Sequence, residues 1–193
     1  MDVRPGDDFA SAHAPGSISI PLSGDFAFWA GSLLGLTSQP VLIAASEEQL
    51  IEARTRLARV GIDDARGYLD NGIKGWTEAG LPVAELEQIN PRLLNELLRK
   101  NRTQLLDVRR QPEWEAGHIE GAVRLALDDF KGSLPELDRK APIAVICRSG
   151  YRSLIAGSLL RRAGFENVTN VAGGFVGWEK TKLPVVTETA VGV

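Results

Sequence analysis

One cysteine stands where a parallel α/β fold places its reactive groups. Cys147 is the only cysteine of the chain, and it ends a continuous apolar run, 143–146, that is typical of a buried strand. A polar, basic and glycine-bearing loop follows, Arg148-Ser149-Gly150-Tyr151-Arg152, and a helix is predicted to begin at about Arg152-Ser153. Parallel sheets bind ligands at the carboxyl ends of their strands, so we expect a site at Cys147.

The loop predicts a nucleophilic cysteine that acts on anions. A helix N-terminus directs backbone N–H groups at the centre of the loop before it, where they would stabilise a thiolate. Gly150 permits a tight curl, and Arg148 and Arg152 add positive charge for an anionic substrate or a charged sulfur adduct. The competing interpretation is a small buried hydrophobic residue, which is the commoner role of an isolated cysteine. The position of Cys147 favours catalysis.

Composition argues against several other classes of protein. The 193 residues are 44% apolar and 24% charged with a net charge of −3, which favours a folded core and no general nucleic-acid binding. No apolar run approaches the roughly 20 residues of a membrane span, and the chain opens with no signal peptide. One cysteine excludes an intramolecular disulfide, and two histidines argue against a structural zinc site. We expect a cytoplasmic protein without a metal or other cofactor.

The chain contains two copies of one sequence pattern. Asp2-Val3-Arg4 recurs as Asp107-Val108-Arg109, and other matches follow in the same order at separations of 102 to 105 residues. The matched pairs include His13 and His118, Pro40 and Pro142, Leu57 and Leu160, Gly61 and Gly164, and Trp76 and Trp178. Such a period is too long for a solenoid and indicates two small domains. We place them at 1–86 and 91–186, with a linker at 87–90 and a tail at 187–193.

Strands and helices alternate in the second copy, which predicts the α/β class. Strands are predicted over 104–108, 143–146 and 166–170, and helices over 91–100, 112–117, 153–163 and around Trp178. This alternation implies a mainly parallel sheet flanked by helices on both faces. The first copy has no counterpart of the helix at 91–100, so we expect either a fragment of a longer chain or a trimmed first domain.

The run Cys147-Arg148-Ser149-Gly150-Tyr151-Arg152-Ser153 resembles the active-site loop of rhodanese-type sulfurtransferases, C-x-x-G-x-R-[ST]. Asp107-Val108-Arg109 and the runs 114–122 and 173–178 resemble the other marks of that family, in the family's order. The resemblance covers nearly all of 91–186. It implies a tandem of two rhodanese-like domains.

The resemblance also implies roles for the loop residues. Cys147 would take sulfane sulfur from thiosulfate or from a low-molecular-weight persulfide such as glutathione persulfide, and would pass it to a thiol or to cyanide. The amides of 148–152 would cradle the terminal sulfur, and Ser153 completes the binding loop. Arg148 would meet an anionic donor, and Arg152 would stabilise the loop.

Other repeated residues are interpreted as architectural. Asp107 and Arg109 occupy D-x-R positions of the family, where a supporting role is commoner than a catalytic one. His118 has its match in the first copy, which lacks a cysteine, so we do not propose it as a base. Trp178 and its match Trp76 are assigned to core packing.

The first copy resembles the same domain with its chemistry removed. Ala45 is aligned with Cys147, and Ser46-Glu47-Glu48-Gln49 follows where the second copy has a basic, glycine-bearing loop. Two glutamates would repel an anion, so we predict that this copy is not catalytic and serves the structure or the neighbouring site.

An inactive copy before an active one, together with the run 25–31, resembles the C-terminal part of bacterial metallo-β-lactamase/rhodanese fusion proteins. The resemblance implies a metallo-β-lactamase-fold persulfide dioxygenase as a fused or separate partner. The chain holds no histidine cluster of its own for such a metal domain.

Two other functions stay open. Related loops support phosphatases and arsenate reductases, but those favour a longer loop than the four residues between Cys147 and Arg152. Alternatively, the chain is a persulfide-carrying or binding module that serves the active site of a partner.

Overall fold

The structure is a computed structural model, and it describes residues 1–131 and 134–187. The chain divides into two compact units, the first comprising residues 1–87 and the second beginning at residue 88. The predicted tail, 187–193, lies outside the described residues except for Thr187. No helix in the described ranges is long and apolar enough to cross a membrane.

The first unit is a small parallel sheet with helices around it. Asp2 bridges Ser19 on one side and Ile43 on the other, and strand β1 pairs with β2, all in parallel. Its elements are α1 (Gly6–Ser11), α2 (Phe26–Leu34), β1 (Val41–Leu42), α3 (Glu47–Ala58), β2 (Gly67–Tyr68) and α4 (Gly72–Glu78).

The second unit contains a five-stranded sheet in the order β3-β7-β6-β4-β5. The pairs β5–β4, β4–β6 and β6–β7 are parallel. Its elements are β3 (Glu87–Ile89), α5 (Pro91–Arg99), β4 (Gln104–Asp107), α6 (Gln111–Glu115), β5 (Val123–Arg124), a 3-10 turn (Leu127–Asp129), β6 (Ile143–Ile146), α7 (Tyr151–Arg162), β7 (Val168–Val171) and α8 (Gly174–Lys180). The predicted α/β class is confirmed.

The central strand β6 is covered on both faces. All four of its residues are buried, which is why its sequence is a continuous apolar run. Ala144 and Ile146 belong to a core cluster with residues of α5 and α8. The alternate residues Ile143 and Val145 point to the opposite face, where α7 packs against β6 and β7. Helices on both faces thus fix the end of β6, where Cys147 follows.

The boundaries differ from the sequence-based ones for local reasons. Residues 87–89, within the predicted linker, form strand β3, because Ile89 is buried and its carbonyl accepts a hydrogen bond from Ala172. Asn90 then caps α5 by accepting a hydrogen bond from the Leu93 amide at 2.9 Å. Helix α7 begins at Tyr151 rather than at 152–153, since Gly150 has already turned the chain.

Candidate active site

Cys147 lies at the carboxyl end of β6 and is completely buried. Its sulfur accepts hydrogen bonds from the Gly150 amide at 3.2 Å and from the Ser153 hydroxyl at 3.3 Å. One donor from the loop and one from the first turn of α7 therefore converge on the sulfur. Such donors stabilise negative charge on it, whether the charge belongs to a thiolate or to an added sulfur.

Gly150 makes this convergence possible through its backbone conformation. Its φ is +104°, a region that residues with a side chain rarely adopt. A Cβ on Gly150 would come no closer than 3.5 Å to any neighbour, the Gly173 amide nitrogen, so space is not the constraint. The left-handed turn directs the Gly150 amide at the sulfur and starts α7 at the next residue.

The Ser153 hydroxyl has two acceptors within reach. Its oxygen lies 3.3 Å from the Cys147 sulfur and 3.1 Å from the Gly150 carbonyl oxygen, and the residue is fully buried. One hydroxyl has one proton, so it donates to one of them at a time. An anionic sulfur is the stronger acceptor and would take this bond.

Arg152 is paired with an acid, Glu113, that the sequence did not reveal. Its guanidinium makes two hydrogen bonds to the Glu113 carboxylate of α6, at 2.7 and 2.6 Å. This pairing raises the pKa of Arg152 against the opposing effect of burial. Burial acts to raise the pKa of Glu113, but the hydrogen bonds from Arg152 and its positive charge lower the pKa by more. The net shift of this pKa is downward, so the carboxylate stays ionised. The pair anchors the start of α7 to α6.

The other predicted loop residues line the outer side of the loop. Arg148 and Ser149 are exposed, and Tyr151 is half-buried. Arg148 forms no salt bridge within residues 1–131 and 134–187. An exposed cation next to Cys147, without a carboxylate partner, suits an anionic donor.

Asp107 and Arg109 form a buried ion pair beneath α6. The Arg109 guanidinium donates to both Asp107 oxygens, to the Glu113 carbonyl at 3.1 Å and to the Gly117 carbonyl at 2.8 Å. It also lies 3.8 Å from the centre of the Phe175 ring. These contacts hold the middle of α6 at Glu113 and the turn that follows it at Gly117, and through Glu113 they support the position of Arg152. Neither residue has a hydrogen bond to the Cys147 sulfur.

The histidines belong to the framework. His118 stacks on Trp114 with the ring centres 3.8 Å apart, and its backbone pairs with that of Val186. His13 stacks on Phe9 in the same way, and its backbone pairs with that of Ala84. Within the described ranges, no three His, Cys, Asp or Glu side chains are grouped so as to hold a metal ion.

The sequence-based match of Ala45 with Cys147 is wrong by one residue, as the backbone hydrogen bonds of the first unit show. The Val3 amide bonds to the Ile43 carbonyl just as the Val108 amide bonds to that of Ile146, at 2.9 Å in each case. The residue after Ile43 is Ala44, so Ala44 is the counterpart of Cys147. Both positions hold alanine, which is why sequence matching could not separate them.

The loop of the first unit satisfies its own donors. The Ala45 amide donates to the Gln49 side chain at 2.9 Å, and the Gln49 amide donates to the Ser46 hydroxyl, which caps α3. A cavity of about 720 Å³ opens at this end of the sheet, and its lining mixes three carboxylates with three cations: Asp8, Glu47, Asp70, Arg4, Arg54 and Lys74. No glycine turns this loop, and no thiol follows its strand.

Comparison with known proteins agrees with the repeat. The sequence model of the family described as the rhodanese-like domain matches residues 1–79 and again 90–181. Thiosulfate sulfurtransferase GlpE of Actinobacillus pleuropneumoniae serotype 3 is 33% identical over 100 residues, which are 52% of this chain and 93% of that protein.

Solved structures also match. A rhodanese-related protein of Thermoplasma volcanium is 31% identical with a TM-score of 0.49, over 53% of this chain and 99% of that one. The thiosulfate sulfurtransferase of Pseudomonas aeruginosa is 22% identical with a TM-score of 0.47, over 97% of this chain and 40% of that one.

Proposed function

The chain belongs to the rhodanese-like domain family, and on that premise we propose that it is a sulfurtransferase that carries sulfane sulfur as a persulfide on Cys147. One observation carries the proposal: the Gly150 amide and the Ser153 hydroxyl both lie within hydrogen-bonding distance of a buried sulfur. The similarity to a thiosulfate sulfurtransferase supports it.

The reaction has two displacement steps. In the first, the Cys147 thiolate attacks the outer sulfur of thiosulfate, an S–S bond forms, and the S–S bond of thiosulfate breaks. Sulfite leaves with the electron pair, and Cys147 becomes a persulfide anion. In the second, cyanide or a thiolate attacks the terminal sulfur, and the Cys147 thiolate leaves. No net oxidation occurs, because the sulfane sulfur passes unchanged from donor to acceptor.

The two arginines of the loop have different tasks in this scheme. Arg152 is already neutralised by Glu113, so it fixes the loop. Arg148 is exposed and meets the negative charge of thiosulfate or glutathione persulfide. Asp107 and Arg109 support α6 and do not touch the reacting atoms.

The chain supplies no second cysteine, so the persulfide passes to an external acceptor. Thiols and cyanide both have the required nucleophilicity. A cytoplasmic metallo-β-lactamase-fold persulfide dioxygenase, fused or separate, is a partner of fitting chemistry, because it consumes persulfides. An intact mass of the natural protein near that of this chain alone, 20.9 kDa, would exclude the fused arrangement.

Intact mass spectrometry tests the proposal. We expect wild type, but not Cys147→Ser, to gain one sulfur atom after incubation with thiosulfate or glutathione persulfide, and to lose it to cyanide. No gain with either donor would overturn it. Loading without repeated turnover would instead indicate a persulfide-carrying module. Turnover of an aryl phosphate that is lost in Cys147→Ser would indicate phosphatase chemistry.

A further inference from the structure

The first turn of helix α8 donates two backbone hydrogen bonds to carbonyls at the start of the Cys147 loop. The Phe175 amide donates to the Cys147 carbonyl at 2.7 Å, and the Val176 amide donates to the Arg148 carbonyl at 3.0 Å. The two carbonyls belong to consecutive peptides of the loop. The first turn of α8 therefore fixes the orientation of both peptide planes.

The orientation of each carbonyl also sets the orientation of the N–H group in the same peptide unit. All peptide bonds of the described chain are trans, and in a trans peptide the C=O and the following N–H point in opposite directions. The Cys147 carbonyl points at α8, so the Arg148 N–H points away from α8. The Arg148 carbonyl likewise points at α8, so the Ser149 N–H points away from it. The hydrogen bonds to α8 thus hold the Arg148 and Ser149 N–H groups in directions that lead away from α8.

The close approach of α8 requires glycine at residue 174. A Cβ on Gly174 would lie 2.5 Å from the Cys147 carbonyl oxygen and 2.7 Å from the Arg148 carbonyl carbon and oxygen. Its φ of +56° also disfavours a side chain. The helix cannot simply retreat, because Trp178 is buried and the Phe175 ring lies under the Arg109 guanidinium. A methyl group at 174 would therefore displace the loop.

The first unit has the same close approach of a helix to its loop but, over residues 1–87, lacks the two hydrogen bonds. A Cβ on Gly72 would lie 2.3 Å from the Ala44 carbonyl oxygen, so the close approach is present there too. In the described residues of that unit, however, neither Ile73 nor Lys74 donates its amide to the loop. Only the unit that has a cysteine has both the approach and the two bonds.

We propose that Gly174 is a positioning residue for sulfur transfer: it lets the Phe175 and Val176 amides orient the Cys147 loop so that its N–H groups face the sulfur anion. The inference rests on the proposed function and names a device within the same site. It concerns the direction of backbone donors, and Gly174 itself touches no reacting atom.

Gly174→Ala tests the inference, with Gly72→Ala as the matched control. Two readouts are measured: the rate of sulfur uptake by intact mass, and the pH profile of Cys147 alkylation by iodoacetamide. For Gly174→Ala we expect uptake to fall about tenfold or more and the midpoint of alkylation to move to higher pH, because hydrogen bonds to an anion are lost. Gly72→Ala meets a comparable collision, 2.3 Å from the Ala44 carbonyl oxygen, and is expected to leave both readouts unchanged. Circular dichroism verifies that each variant is folded.

Val176→Pro serves if Gly174→Ala does not fold. It removes one of the two amide donors, and proline is tolerated in the first turn of a helix. Lys74→Pro is its control in the first unit. A folded Gly174→Ala or Val176→Pro protein with wild-type uptake and a wild-type alkylation profile would overturn the inference. Failure of wild type itself to take up sulfur counts against the proposed function alone, because the alkylation profile still reports the orientation of the donors.

Discussion

Glu113 and Arg152 lie 39 residues apart in the chain and meet through two hydrogen bonds of 2.7 and 2.6 Å. Their side chains are 26% and 15% exposed, so water screens the pair only partly. The pair joins α6, which the Asp107–Arg109 pair supports, to the first turn of α7. The conformation of the Cys147 loop therefore depends on α6, a helix that carries neither of the two donors to the Cys147 sulfur.

Glu113→Gln is expected to lower the free energy of unfolding by about 1–3 kcal/mol, because a charge-assisted pair is lost and Arg152 stays half-buried. Sulfur uptake is expected to slow several-fold as the loop loosens. Urea denaturation and intact mass give the two measurements. Glu115→Gln on the same helix is the control, since Glu115 is exposed. Equal effects of the two substitutions would contradict the role assigned to the pair.

The same pair makes stability depend on pH in a defined direction. The pKa of Glu113 in the folded protein lies below its ordinary value: burial opposes the shift, and the hydrogen bonds and charge of Arg152 outweigh it. A lowered folded-state pKa contributes stability above the unfolded-state pKa of about 4.3, and this stability is lost as pH falls through the folded-state pKa.

The difference in unfolding free energy between wild type and Glu113→Gln should therefore be constant above about pH 5 and should shrink below about pH 4. Urea denaturation from neutral to acid pH measures it. A difference that grows as the pH falls would show that the carboxylate is not the ionised partner of Arg152.

Arg148→Ala is expected to lower kcat/KM for thiosulfate about tenfold, mainly through KM, because the exposed guanidinium attracts the anionic donor. Arg148→Lys keeps the charge and should retain most of the activity. The wild-type rate should fall with added salt, whereas the alanine variant should lose most of that dependence. An alanine variant with wild-type salt dependence would assign donor attraction to another group.

The first unit should not acquire the chemistry from a thiol alone. Ala44→Cys in a Cys147→Ser background places a thiol at the position equivalent to Cys147. We expect no sulfur uptake, because the Ala45 amide is bonded to Gln49 and the Gln49 amide to Ser46. Ala45→Cys in the same background is the comparison, and intact mass after thiosulfate is the readout. Uptake by the Ala44→Cys protein would mean that the thiol, not the loop, limits the reaction.

Sequence patterns predicted what is local in this molecule. The apolar run of β6, the glycine of the loop and the start of α5 at Asn90-Pro91 are each written within a few neighbouring residues. The Arg152–Glu113 pair was missed because its partner lies on another helix. No local pattern selects Glu113 from the other carboxylates of the chain as the partner of Arg152.

The strand β3 and the register of the first unit were missed for other reasons. Residues 87–89 are mostly polar, and only the burial of Ile89 against the sheet turns them into a strand. The choice between Ala44 and Ala45 is fixed by the hydrogen bond from the Val3 amide to the Ile43 carbonyl and by the close approach of Gly72 to the Ala44 carbonyl, which no local sequence pattern encodes.

The complete burial of Cys147 limits which molecules can exchange sulfur with one another. A disulfide between two copies of the chain would need the Cβ atoms of their cysteines about 3.5–4.5 Å apart. Two Cys147 side chains that are each completely buried cannot approach one another that closely. Air oxidation should therefore not dimerise the protein, and loaded and empty copies should not trade their cargo directly. An added sulfur lengthens the Cys147 side chain by about 2 Å. Two copies of the protein therefore cannot exchange sulfur directly, whereas a small acceptor can take it. Isotope-labelled sulfur loaded onto one copy should stay there until such an acceptor is added.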